Sequence, residues 1–125
     1  MKEFKVFVQD KTGELARVTE ALANQAVNIR AISSEGGHEI SFLRIVTNDV
    51  ATTEKAFRLA GMKYEAHDIM AVELMDRPGE LAKIARRLAR AGVNIESLYI
   101  LGSKNGKTEI AMVVSDPEKA KTALR

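Results

Sequence analysis

The sequence predicts an α+β fold: two copies of a βαββαβ unit, each an antiparallel sheet with helices on one face. Three observations carry that reading. Asp10-Lys11-Thr12-Gly13-Glu14-Leu15-Ala16 recurs 66 positions later as Asp76-Arg77-Pro78-Gly79-Glu80-Leu81-Ala82. Val27-Asn28-Ile29 recurs at the same offset as Val93-Asn94-Ile95, and Leu22 as Leu88. Agreement at one fixed spacing marks duplication of a whole structural unit. Each copy also runs from a β-branched stretch through a glycine turn into apolar residues at helical spacing.

Taken in order, Phe4-Lys5-Val6-Phe7-Val8 predicts a short first strand, apolar on both faces. After the Lys11–Glu14 turn, Leu15, Val18 and Leu22 form one apolar helix face, with Glu14 at the positive end of the helix dipole. In the second copy Pro78 falls at the first helical position, and Leu81, Ile84, Ala85 and Leu88 repeat the face. Gly92 offers a left-handed stop where the first copy has Ala26, which must stop its helix differently or carry strain. Asn28–Ser34 and Ile40–Val46 read as strands joined by a turn at Glu35-Gly36-Gly37-His38. Asp49 caps a second helix that runs to Leu59 and stops at Gly61. Residues 63–75 are extended and must supply the fourth strand of unit one and the first of unit two. Asn94–Leu101 and Thr108–Val114 form a hairpin through Asn105-Gly106, and Asp116-Pro117 opens the last helix. The expected units are therefore 1–68 and 69–125, the second lacking its last strand.

Composition narrows the function classes. The chain has 125 residues and a formal charge of +2; residues 1–66 carry nine basic and nine acidic side chains. So small an excess does not point to a nucleic-acid partner. Without cysteine there is no disulfide framework, thiol nucleophile or cysteine metal site, and the cytosol is the expected compartment. No apolar run reaches membrane-spanning length, and the N-terminus has no signal-peptide core. His38 and His67 are not spaced as metal ligands, and no catalytic triad or carboxylate pair is present, so neither metal, cofactor nor enzyme activity is expected. Gly102-Ser103-Lys104-Asn105-Gly106-Lys107-Thr108 is one residue short of a phosphate loop and leads into a strand, so it reads as a hairpin tip. Lys83, Arg86, Arg87 and Arg90 make a solvated basic helix surface.

The doubled Asp-x-x-Gly-Glu-Leu, helix and Val-Asn-Ile pattern resembles the ACT-domain family of small-molecule sensing modules, in its free-standing tandem form. The resemblance implies ferredoxin-like units and a regulatory, non-catalytic protein that binds a free amino acid at the interface between units. It also implies a regulated biosynthetic enzyme as a further partner. A homodimer is expected from the missing strand instead: Met70-Ala71-Val72-Glu73-Leu74 keeps an unpaired flank, which the 63–75 segment, the N-terminal strand or the same edge of another chain would cover, the last giving a symmetric dimer. The site it implies comprises Asp10, Thr12, Gly13, Glu14, Leu15, Asn28 and Ile29, with Asp76, Pro78, Gly79, Glu80, Leu81, Asn94 and Ile95 in the second copy. Two departures stand out: Thr12 replaces the usual proline, and the second unit lacks its last strand.

The residues support such a site physically. A helix N-terminus exposes unpaired N–H groups and partial positive charge, where an α-carboxylate docks. Glycine lets a ligand approach the backbone, and asparagine offers both donor and acceptor. On the competing reading, the glycines only permit the turn, Asp10 and Asp76 only cap it, and the asparagines bond their own loop. Two other functions remain open from sequence: an interaction module with no ligand, and the sensory tail of an enzyme. A start methionine directly before strand one argues against the tail.

Overall fold

The structure, a computed structural model, describes residues 1–37 and 40–125. His38 of the expected turn lies outside the described residues. Eleven elements follow in chain order: β1 (Lys2–Val8), α1 (Glu14–Asn24), β2 (Ile29–Glu35), β3 (Ser41–Thr47), α2 (Val50–Leu59), β4 (Tyr64–Asp68), β5 (Met70–Met75), α3 (Glu80–Arg90), β6 (Ile95–Lys104), β7 (Lys107–Val114) and α4 (Pro117–Ala123). The extended 63–75 stretch is thus two strands, parted only at Ile69. The chain divides into units Met1–Asp68 and Ile69–Arg125. In the first, an antiparallel sheet has the order β2-β3-β1-β4; in the second the order is β5-β7-β6. The first order is the split-βαβ, ferredoxin-like arrangement, and the second is the same arrangement without a strand beside β5.

The first core sits where β1 meets the helices. Alternation along β1 sends Phe4 and Val6 inward, where they pack with Val18 and Leu22 of α1, Leu43 and Ile45 of β3, and Phe57 of α2. Phe4, Phe57 and Tyr64 meet edge-on or tilted at 5.4–6.0 Å between ring centroids. Burying each such side chain contributes roughly 1.5–3 kcal/mol. Residues of the opposite register do not join this core: Lys5 Nζ lies 4.3 Å from the Phe42 ring centroid, and Phe7 is half-buried beside it. In the second unit Ile84 and Leu88 of α3 pack on Ile110, Met112 and Val114 of β7, with Ala120 of α4 closing the cluster.

Leu15 and Leu81 are the exception to the helix-face reading. Both are exposed, at 51% and 44%, while Val18, Leu22, Ile84 and Leu88 are buried. The leucine of each first turn stays out of the core cluster that the later residues of its helix join. Pro78 also departs from expectation: it lies in the turn, two residues before α3 opens at Glu80.

Three helices end in the same way. Val27 N–H donates to Leu22 O (3.0 Å), Met62 to Phe57 O (2.9 Å) and Val93 to Leu88 O (2.9 Å). Ala26, Gly61 and Gly92 each add a bond to the carbonyl three residues back, at 2.9, 3.1 and 3.0 Å. This paired closure needs a left-handed residue between the two donors, and both apolar residues it joins are buried. Gly92 adopts φ 74°, whereas Ala26 is held at φ 57° with a Cβ that crowds its own carbonyl. The strained alternative is the one the fold uses. Ala26→Gly is therefore expected to raise stability by about 1 kcal/mol, the relief of strain exceeding the added chain entropy of glycine. Urea unfolding of the two proteins measures it, and a lower midpoint for the glycine variant would refute the strain.

Candidate functional site

The two copies of the motif place a strand end, a turn and a helix start in the same geometry. Gly13 and Gly79 are the N-cap residues of α1 and α3, at φ 91° and 88°, and a Cβ at either would meet nothing within 4 Å. Here the backbone angle alone calls for glycine, and the space over each glycine is open. Neither helix start receives a side-chain capping bond. The other two helices do: Thr52 N–H donates to Asp49 Oδ1 and Lys119 N–H to Asp116 Oδ1, each at 3.1 Å. The aspartates of the motif thus do not cap, contrary to the competing reading.

They are tethers. Gly37 N–H donates to Asp10 Oδ2 at 2.7 Å, tying the β1–α1 loop to the β2–β3 turn. A Cβ on Gly36 would stand 3.0 Å from Asp10 Oδ1, so the carboxylate lies flat against this backbone. In the second unit the tether is backbone to backbone, Asp76 N–H to Gly106 O at 2.8 Å. Gly106 belongs to the Asn105-Gly106 turn, both residues at positive φ, which confirms Gly102–Thr108 as a hairpin tip. In the first unit a cleft of about 150 Å³ opens beside the tether, lined by Asp10, Lys11, Glu14 and Leu15 from the loop side. Ser34, Glu35, Gly36, Ser41 and Phe42 line it from the hairpin side.

Glu14 and Glu80 organise their own loops. Glu14 is buried, accepting from Arg17 Nη2 at 3.1 Å and from Gln9 N–H at 3.4 Å, with Lys11 Nζ at 4.0 Å. Glu80 accepts from Arg77 Nε at 2.7 Å and from Lys83 Nζ at 3.2 Å. Lys83 of the basic surface is therefore paired, and Arg87 Nη2 donates to Arg125 O at 2.8 Å. His67 faces Glu3 directly across β4 and β1, with Nδ1 3.2 Å from Oε1, which is a cross-strand contact.

Asn28 and Asn94 stand elsewhere. They precede β2 and β6, whose first residues are Ile29 and Ile95. In the first unit Ile29 pairs with Thr47, which pairs with Lys2 at the far end of β1. The Gly13 loop leaves from the other end, beside Val8 and Ser41. The length of β2 separates them, about 20 Å. No unit brings its own asparagine to its own glycine loop. Thr12 and Pro78 are exposed in their turns, and Leu15 is brought to the first cleft. On the hairpin side of that cleft, Ser34, Glu35, Gly36, Ser41 and Phe42 read in the sequence only as strand and turn, with nothing to mark them as part of a site.

A family model described as an ACT domain pair matches residues 1–124. Among solved structures, a protein from Bacteroides thetaiotaomicron is similar at 27% identity and a TM-score of 0.88, covering 98% of this chain and 85% of that one. The regulatory subunit of aspartate kinase from Thermus thermophilus, in ligand-free form, is similar at 22% identity and a TM-score of 0.71, covering 99% and 87%. Its counterpart from Thermus flavus gives 23%, 0.65, and 99% and 88%. No curated protein matches the chain.

The loop carboxylates give a pH signature. The hydrogen bond from Arg17 holds the Glu14 carboxyl below its ordinary range; burial opposes the shift, and the Gln9 N–H and the charges of Arg17 and Lys11 favour it. A depressed folded-state pKa contributes stability above the unfolded value, and that contribution is lost as pH falls through the folded one. Stability is therefore expected to decline once pH drops below about 4.3, the unperturbed glutamate value. In Glu14→Gln that part of the acid slope should disappear. Urea midpoints between neutral and acid pH follow it, and parallel curves for the two proteins would remove Glu14 from the account.

Proposed function

Because this chain belongs to the ACT domain-pair family, we propose that it is a non-catalytic regulatory protein that binds a free amino acid at its glycine-led helix starts. One contrast carries the reading. Two helices are capped by aspartate and two are not, and the uncapped pair is the pair the repeated motif builds. An α-carboxylate fits there, meeting first-turn N–H groups and the positive end of the helix dipole. The open space over Gly13 and Gly79 leaves the approach clear. In the first unit the cleft beside the loop offers about 150 Å³, room for a small side chain, with Leu15 and Phe42 as its apolar walls. Occupancy would bear on the tether between loop and hairpin, and through it on a partner enzyme. Solved regulatory subunits of aspartate kinase share this fold. We assign the protein to the cytosol and to a homodimeric state.

Among the twenty amino acids, at least one is expected to raise the unfolding midpoint, because a ligand bound only by the folded state stabilises it. The corresponding amine, lacking the α-carboxylate, should give no shift. Gly13→Asn with Gly79→Asn is the matching variant. Asparagine tolerates positive φ where a β-branched residue would not, and its side chain would fill the approach. Calorimetry should show affinity reduced at least about tenfold, a loss of roughly 1.4 kcal/mol, with the far-UV spectrum retained. Unchanged affinity would take the helix starts out of the site.

A further inference from the structure

β1 lies between β3 and β4, so the loop that leaves its end has two flanks. The 150 Å³ cleft opens on the β3 side. On the β4 side is a larger cavity of about 480 Å³, between the end of β1, the start of α1 and the turn joining α2 to β4. That volume is typical of small-molecule pockets. Phe7, Val8 and Met62 make its apolar wall, and Lys11, Arg17 and Lys63 line it against a single carboxylate, Glu14.

The carboxylate does not neutralise the three cations. Both its oxygens are held by Arg17, at 3.1 and 3.4 Å, and one of them also accepts from the Gln9 amide. Lys11 Nζ stands 4.0 Å away, and Lys63 Nζ has no ion-pair partner among the described residues. Three bases against one acid leave an excess of two positive charges beside an apolar wall, where an opposite charge is attracted more strongly than in open water. The backbone under Lys63 is fixed on both sides. Met62 N–H bonds back to Phe57 O after the Gly61 reversal, and Lys63 O accepts from Phe7 N–H at 3.0 Å. The second copy of the motif shows the balanced form of the same loop. There Arg77 and Lys83, the counterparts of Lys11 and Arg17, both bond Glu80, at 2.7 and 3.2 Å.

We propose that this cavity of the first unit binds a small organic dianion, a phosphate monoester or a dicarboxylate. Lys11 and Lys63 take its charged groups, and Phe7, Val8 and Met62 take its carbon body. Arg17, already held by Glu14, completes the positive lining. Gly13 lines no part of the cavity, and the site does not depend on the amino-acid reading above. An α-ammonium would be repelled by the same two lysines, so the cavity discriminates against free amino acids.

The test uses the full chain with no amino acid present. Calorimetric titrations with glycerol phosphate, succinate and acetate are run at one ionic strength, which keeps general screening equal among them. At least one dianion should bind saturably, and the preferred one names the charged group. Acetate should bind at least about tenfold more weakly. Lys63→Gln, at an exposed position, should leave the unfolding midpoint of the free protein unchanged and weaken the dianion about tenfold, whereas Lys63→Arg should retain it. In methyl spectra the Met62 resonance should move on titration, and that of Met112, buried in the second unit, should not. The site would be overturned by the absence of saturable dianion binding, by acetate binding equally well, by an affinity that survives Lys63→Gln, or by a Met62 resonance unmoved at saturation.

Discussion

Each unit depends on a backbone constraint applied at both ends of its first helix: a residue held at positive φ. At the start, Gly13 and Gly79 turn the chain out of the strand and aim the helix across the sheet. At the end, Ala26 and Gly92 reverse it so that the next residue can bond back to Leu22 or Leu88. That return bond fixes where Val27 and Val93 enter the core, and hence which residues of β2 and β6 face the helices. A slip of one residue would turn every inward side chain outward. Both cores depend on these two reversals.

Much of this was legible in the sequence because it rests on local rules. The duplication announced the two units, Asp49 and Asp116 announced capped helices, and Asn105-Gly106 announced its turn. What was not legible rests on placement in space. Leu15 sits at helical spacing from Val18 and Leu22, yet it lines a cleft and stays exposed; periodicity gives the angle around a helix but not what lies beneath it. Asp10 and Asp76 occupy positions that read as caps, but the N-cap is the glycine three residues later. The Asp10 carboxylate is instead engaged by Gly37, a partner 27 positions away, and Asp76 is tied through its backbone N–H to Gly106 O. The asparagines lie in the same motif as the glycines but each at the opposite end of its own sheet, because a helix that runs back along its strand delivers the next strand to the far end.

The copies are not equivalent in detail. In the first, the loop meets the hairpin through the Asp10 side chain, and a cleft opens beside that spacer. In the second, loop and hairpin meet backbone to backbone at 2.8 Å. The same aspartate type in the same motif position therefore serves different contacts. Glu14 and Glu80 diverge in the same sense. Glu14 turns back to the Gln9 amide and is buried, whereas Glu80 is held by Arg77 and Lys83 nearer the surface.

Helix caps supply the last step. Replacing a capping side chain typically costs about 1 kcal/mol, and this protein uses aspartate caps where its helices have only to be stable. A duplicated helix start that only had to turn the chain would gain from the same device. Both copies instead carry glycine at the cap and leave the helix start without a side-chain capping bond, while the glutamates of those first turns, Glu14 and Glu80, are engaged by Arg17 and Arg77. On the proposed function, a helix start left in this condition twice is where an anionic group from outside the chain would dock.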